Sequence, residues 1–308
     1  MSESQAGIVP EPSQHARFVI LRVNDAVRNA APVARVLAGV PGLVAKIAAL
    51  DRRSRLACTV SVGPEFWDVI SPQRRPKGLR QFTPIEAGGH RAPSTGGDVL
   101  LHILSQRVDL NFEIAARIVN QLGDTVKVDQ DVVGFRYLDG RDLTGFIDGT
   151  ENPKGKERAK VALIGKEDPD FAGGSYVFTQ RYVHDLKKWG SIPLGEQEGA
   201  IGRRKRDSKE LSDKVKPPSA HISRVVIEEN GEELEIVRHS FPYGTVNEAG
   251  LFFIAYSKTL DIPERMLRRM MGVEGDGLHD HLMDFTQAVT GAHFFAPSLR
   301  VLKALGKG

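Results

Sequence analysis

Apolar residues in this chain come in short blocks separated by polar, Gly- and Pro-rich stretches. In the first half, "RFVILRV" (17–23), "RLACTVSV" (55–62), "DVLLHILSQ" (98–106) and "VVGFRY" (132–137) predict strands. The third is apolar at nearly every position, which predicts burial on both faces. Residues 25–50 are rich in Ala, Val and Leu and read as helical, with Pro32 and Pro41 expected to break them into shorter pieces. "NFEIAARIVNQLG" (111–123) spaces its apolar residues along one helix face and ends on Gly, a helix stop. Residues 71–97, rich in Pro, Gly, Arg and Gln, predict a long loop. The polar residues 1–14 predict a loose arm.

The resulting order, β-α-β-β-α-β, is that of a ferredoxin-like unit: an antiparallel four-stranded sheet with helices on one side. The second half repeats the pattern. "GSYVFTQRYVHD" (174–185) predicts a strand and 185–202 a short helical stretch. "SRVVIEENGEELEIVRHSF" (223–241) predicts two strands turning at Asn230-Gly231, "GLFFIAYSK" (250–258) a strand, and "PERMLRRMMG" (263–272) a helix. The expected fold class is therefore α+β, with two ferredoxin-like domains over residues 1–140 and 141–308.

Composition narrows the function. The chain has 308 residues, 41% hydrophobic and 26% charged, which is ample for a large core and two domains. A net charge of +3 argues against a nucleic-acid partner, although Arg203, Arg204, Lys205 and Arg206 form a local basic patch that keeps open a non-enzymatic interaction protein. The single cysteine, Cys58, rules out an internal disulfide and Cys-based metal clusters, and fits a reducing compartment. The N-terminus has no signal-peptide pattern, and no run of about 18 apolar residues predicts a membrane span. A soluble cytoplasmic protein with no membrane partner is expected. The C-terminal "LRVLKALGKG" has no long extension of the kind that loads cargo into encapsulin shells, so such loading is not expected.

There is no HExxH, GxSxG, P-loop or GxGxxG pattern to support a zinc hydrolase, serine hydrolase, kinase or nicotinamide enzyme. Of nine histidines, His279 and His281 would point to different faces of a helix, so no zinc site is expected. Asp148 in "LTGFIDGTENP" (143–153) is either a turn former, since Asp-Gly favours turns, or an acid held for chemistry. His221 follows the stiff "KPPSA" and is either a cap or a ligand. Arg238 ends the apolar "LEIVR". If buried it needs an anion, which could be Asp148 or a ligand carboxylate.

"GFIDGTENP" resembles the GxxDG signature of the dye-decolorizing peroxidases. "AIGR" (200–203), "SAHISR" (219–224), "IVRHSFPYGT" (236–245), "GLFFIAY" (250–256) and "FTQAVTGAHFFAPSL" (285–299) follow in that family's order, nearest its B-type branch. The resemblance implies a dimeric α+β barrel of two ferredoxin-like domains, with one haem b per chain in the second domain. It implies His221 as the iron ligand, with Asp280 or its competitor Asp284 holding the other ring nitrogen. Asp148 and Arg238 would act on hydrogen peroxide, giving a ferryl intermediate that oxidises dyes, phenols or other small one-electron donors. Arg203 would pair with a haem propionate, and Leu251 and Phe253 would line the pocket. Ser240 stands where other B-type members carry Asn. Trp189, Tyr176, Tyr182 and Tyr243 are candidate surface electron relays, with core packing as their alternative and more ordinary role, and a homo-oligomer is expected. A haem carrier or iron-releasing chelatase on the same fold is the alternative.

Overall fold

The structure is a computed structural model and describes residues 3–307. The first half runs β1 (His15–Val23), α1 (Ala26–Ala48), β2 (Ala57–Val62), α2 (Pro64–Ile70), β3 (Ile85–Ala87), β4 (His90–Ala92), β5 (Val99–Ser105), α3 (Val108–Leu122) and β6 (Val126–Phe135). The main strands lie in the order β6-β1-β5-β2, each antiparallel to its neighbour. That is the ferredoxin-like order expected from the pattern.

The second half runs α4 (Glu157–Ala162), β7 (Ser175–His184), α5 (Leu186–Ser191), α6 (Leu194–Ile201), α7 (His221–Val225), β8 (Glu228–Glu229), β9 (Glu232–Glu233), β10 (Val237–Arg238), β11 (Phe241–Gly244), β12 (Ala249–Ser257), α8 (Asp261–Met270), β13 (Thr286–Ala288), β14 (Ala292–Ala296) and α9 (Leu299–Leu305). β10 and β11 both pair with β12 and form one interrupted strand. β13 and β14 do the same along β7. With β12 paired to β7, the second sheet has the order of the first. The sheets meet at both edges, through Tyr243 opposite Gly134 and Phe295 opposite Val62, and so close into a barrel.

Closure explains why β5 is buried throughout. Val99, Leu101 and Ile103 face the helices with Val33, Leu37 and Ile114. Leu100 and Leu104 face the lumen with Phe18, Phe252 and Phe294. An antiparallel strand thus gains two dry faces because one lies inside a barrel.

The expected break-up of 25–50 does not occur: α1 is continuous despite Pro32 and Pro41. Each interior proline costs about 3 kcal/mol. The stripe Val33, Leu37, Val40 and Ile47 is almost fully buried, and each such side chain contributes about 1.5–3 kcal/mol, so burial outweighs the breaks. By length and composition α1 could cross a membrane, although no run of that kind was expected; here its apolar stripe is committed to the core and Arg35 lies mid-helix.

Three more expectations change. The loop 71–97 contains the β3–β4 hairpin, turned by Gly88 and Gly89, both at positive φ. The arm is not loose over its described residues. Gln5 is buried and its side chain bonds Val60 N, Val60 O and Pro297 O at 2.8–2.9 Å; residues 1–2 lie outside the described residues. Residues 223–241 do not form two full strands. Asn230-Gly231 does turn a hairpin, but its strands have two residues each, since an all-Glu ladder offers no apolar face. Their N-terminal part is helix α7, whose buried Arg224 reaches Asp276 at 2.8 and 3.0 Å.

Candidate active site

A cavity opens on the outer face of the second sheet. Strand alternation builds its floor: β7 directs Phe178, Gln180, Tyr182 and His184 into it, and β12 directs Leu251 and Phe253. In register, Tyr182 faces Leu251 and Gln180 faces Phe253. Met266, Leu267 and Met270 of α8, Ile222 of α7 and Val226 just after it supply further apolar wall.

His221 opens α7 and lines this cavity. Its Nδ1 lies 2.6 Å from Oδ2 of Asp280, which is fully buried. A carboxylate oxygen accepts, so Nδ1 carries the hydrogen, and in the neutral ring Nε2 keeps its lone pair. Nε2 has no protein partner among the described residues. Asp280 is itself fixed: its Oδ1 accepts from Leu282 N at 2.9 Å, and its own N–H donates to Met270 O at 2.8 Å. Asp280, not Asp284, therefore holds His221. The expected helix around these acids is absent. Asp280 is extended and caps a short 3-10 turn, His281–Asp284, and Asp284 faces away toward His90, His279 and His281.

Asp148 and Arg238 form another part of the cavity lining. Asp148 does shape a turn: its Oδ1 accepts from Gly149 N at 2.7 Å, and Gly149 sits at φ 76, which favours glycine. The same Oδ1 lies 3.6 Å from Arg238 Nη1 with both side chains about a quarter exposed, so the turn residue also pairs with a cation. Sequence reasoning missed what joins them. Asn152 donates Nδ2–H to Arg238 O and accepts Arg238 N–H at Oδ1, both at 2.9 Å. Its amide thus continues the edge of β10 as another strand would. The signal was the Asn of "GTENP" in the quoted motif.

Arg203 also lines the cavity. Gly202 at φ 87 ends α6 just before it, and its guanidinium pairs with Glu151 and, at 3.5 Å, with Glu210. Burial and the neighbouring carboxylate of Glu151 push Glu233, at the same rim, above the ordinary carboxylate range. Of its basic neighbours, Lys205 is partly buried: its Nζ lies 5.5 Å from the Phe146 ring centroid and bonds Gln197 Oε1.

Ser240 does not line this cavity. It faces a second one, on the other side of Asp148 and Arg238, and its Oγ accepts from Ile254 N at 3.4 Å in the break between β10 and β11. The candidate relay residues are not at the surface either. Tyr176, Tyr182, Trp189 and Tyr243 are all buried, and only Tyr182 of the four borders the cavity. Asp142 and His184 are lining residues that sequence reasoning missed. His184 bridges Asp142 Oδ1 (3.2 Å) and Thr286 Oγ1 (2.7 Å). Burial pushes Asp142 up, but the bonds from His184 and Thr144 outweigh it and leave its carboxyl below the usual range.

The donor set fits a haem. One imidazole nitrogen is free to ligate, the walls are largely apolar, a guanidinium stands at the rim for a carboxylate, and Gln180 Nε2 on the floor is buried without a partner. Closed barrel and site together define a ferredoxin-like double-domain protein with a His–Asp pair and an Asp–Arg pair on one cavity. The chain belongs to the Dyp-type peroxidase family: the N-terminal family model matches residues 5–136 and the C-terminal one residues 139–301. It is 43% identical over 290 residues to a dye-decolorizing peroxidase of Mycolicibacterium paratuberculosis, covering 93% of this chain and 81% of that protein. DyPB from Rhodococcus jostii superposes with a TM-score of 0.95 at 42% identity, over 98% of both chains. A DypB variant from that organism, solved in complex with heme, gives the same identity, coverage and TM-score.

Proposed function

We propose that the protein is a haem-dependent peroxidase, binding one haem b per chain, which reduces hydrogen peroxide and oxidises dyes, phenols or other small one-electron donors. The observation that carries this reading is that one cavity is lined by both a lone-pair imidazole nitrogen and a carboxylate–guanidinium pair. Bound there, haem supplies the redox chemistry, taking two oxidising equivalents from peroxide and handing them on one at a time.

The residues of this chain do the rest. His221 ligates through Nε2. Asp280 fixes its tautomer and ring orientation and raises its donor strength. Asp148 takes a proton from one peroxide oxygen and returns it to the other through its carboxylate. Arg238 stabilises the negative charge that develops as the O–O bond lengthens. The cavity on Ser240's side gives small polar peroxide a route to the pair, while the apolar floor keeps bulk water from it. Arg203, now paired with Glu151 and Glu210, would hold a haem propionate. A carrier or chelatase on this fold has no use for an acid beside an arginine over the pocket, so the alternative is disfavoured.

A cytoplasmic homo-oligomer is the finer reading. Cys58 is a free thiol, buried and pushed up to about 12, which suits a reducing compartment. Val27, Leu50 and Phe112 are large apolar side chains left exposed, which suits contact with further copies.

The deciding experiment is His221→Ala. The variant is expected to fold, by far-UV circular dichroism, and to lose the haem absorption band or keep only a trace. Wild-type haem content with an unchanged spectrum would overturn the ligand assignment, and absence of any rapid spectral change on adding one equivalent of peroxide to the wild type would overturn the peroxidase reading.

A further inference from the structure

His90, His279 and Asp284 come from distant parts of the chain and meet outside the cavity just described. His90 opens β4 after the Gly88-Gly89 turn, while His279 and Asp284 bracket the segment that carries Asp280. His90 Nε2 lies 3.3 Å, and His279 Nε2 3.2 Å, from the same oxygen, Asp284 Oδ1. The two imidazole rings stand 4.7 Å apart, centroid to centroid. The three donor atoms all fall within 4.8 Å of one another. His281 Nε2 lies 3.7 Å from the other carboxylate oxygen, Oδ2.

Metal geometry accounts for these spacings. A tetrahedral ion bound at about 2.0–2.1 Å keeps its ligand atoms about 3.3–3.4 Å apart, close to the 3.3 and 3.2 Å that separate His90 and His279 from Asp284 Oδ1. Neutral imidazole N–H groups donating to Asp284 Oδ1 would give the same spacings, and metal titration separates the two readings. A dication leaves both rings neutral and uses the carboxylate charge. Side-chain exposures of 16% for His90 and 44% for His279 leave a way in for an ion. Imidazole and carboxylate donors without thiolate favour zinc, copper or nickel over magnesium or calcium.

We propose that His90, His279 and Asp284 form a binding site for a divalent transition cation, with water as the fourth ligand and His281 standing beside the remaining carboxylate oxygen. The ion would tie the β3–β4 hairpin to residues 279–284. Asp280 lies in that segment, so the ion would stiffen the element that holds His221. The site is independent of the peroxidase reading: it needs no haem to form.

Zinc chloride is the probe. Holoprotein stripped with a chelator is titrated by calorimetry, and zinc content is measured after gel filtration. One zinc per chain with micromolar or tighter affinity is expected, together with a higher melting temperature in zinc. His90→Ala and Asp284→Asn should each weaken binding at least roughly tenfold, and the His90→Ala/His279→Ala double variant should lose both the zinc and the melting shift. His15→Ala, a histidine at the start of β1, should bind as wild type does. Failure of wild-type protein to take up stoichiometric zinc overturns the site, and so does undiminished zinc affinity in the double variant.

Discussion

At the scale of single residues, Asp148 answers two demands at once, and substitution separates them. Asp148→Asn preserves the turn, since Asn can accept from Gly149 N as Asp148 does at 2.7 Å. It cannot shuttle a proton. The rate of the spectral change on mixing with peroxide should therefore fall about a hundredfold or more at matched haem content. Arg238→Leu should cost at least as much, because no other cation is paired with Asp148 among the described residues. Stopped-flow mixing checks both, and near-wild-type rates for Asp148→Asn would return that residue to the turn alone. Asn152→Ala tests position without touching either group. Losing two backbone bonds lets β10 drift, and small displacements of a charge-stabilising group are costly. We expect roughly a tenfold loss in the same rate with haem content unchanged, partly restored by Asn152→Gln.

At the scale of elements, what could be read from the sequence followed from local periodicity. The strands at 17–23, 98–106 and 250–258 and the helix at 111–123 were legible because their apolar residues are contiguous or regularly spaced over most of their length. α7 was not, because its five residues are held by distant partners, Asp280 for His221 and Asp276 for Arg224, that no local pattern announces. For the same reason His90 could not be linked to His279. Asp148, His221, Arg238 and Asp280 were legible only through the resemblance of ordered motifs. Their roles depend on contacts across up to 90 residues, and spacing carries no information at that range. α1 shows the opposite error, in which a local rule was applied and tertiary burial overrode it. If burial holds α1, Leu37→Ala should destabilise the protein by about 2–5 kcal/mol, whereas Pro41→Ala should stabilise it by about 1 kcal/mol or more. Urea midpoints for the two variants give the comparison directly. Stabilisation that fails to appear in Pro41→Ala would mean that the helix uses the proline bend.

At the scale of the whole molecule, closing the barrel creates a lumen that holds His102 away from water, with the partly buried His239 at its edge beside the cavity on Ser240's side. Phe18 stacks on Phe252 at 4.0 Å and on His102 at 5.0 Å, and His102 Nδ1 meets Tyr256 Oη at 2.8 Å. His239, the residue after Arg238, donates Nε2–H to Ile8 O at 3.0 Å and has Arg158 beside it. Burial pushes His239 down to about 4 and His102 well below its ordinary value. The sign follows from linkage. The unfolded chain binds a proton near pH 6.5, whereas the folded barrel refuses it until about pH 4. The stability from neutral His239 is thus whole above pH 6.5 and lost as pH falls toward 4. Between pH 7 and pH 5 that amounts to at most about 2 kcal/mol for His239, less as far as water in the adjoining cavity screens it, with His102 adding in the same direction. Urea unfolding at the two pH values should show the loss in wild type. His239→Gln, which keeps an N–H for Ile8 O but cannot titrate, should lower stability at pH 7 yet lose up to about 2 kcal/mol less on going to pH 5. An equal acid sensitivity in wild type and His239→Gln would mean that the barrel opens for other reasons, and that His239 is no part of what limits this fold in acid.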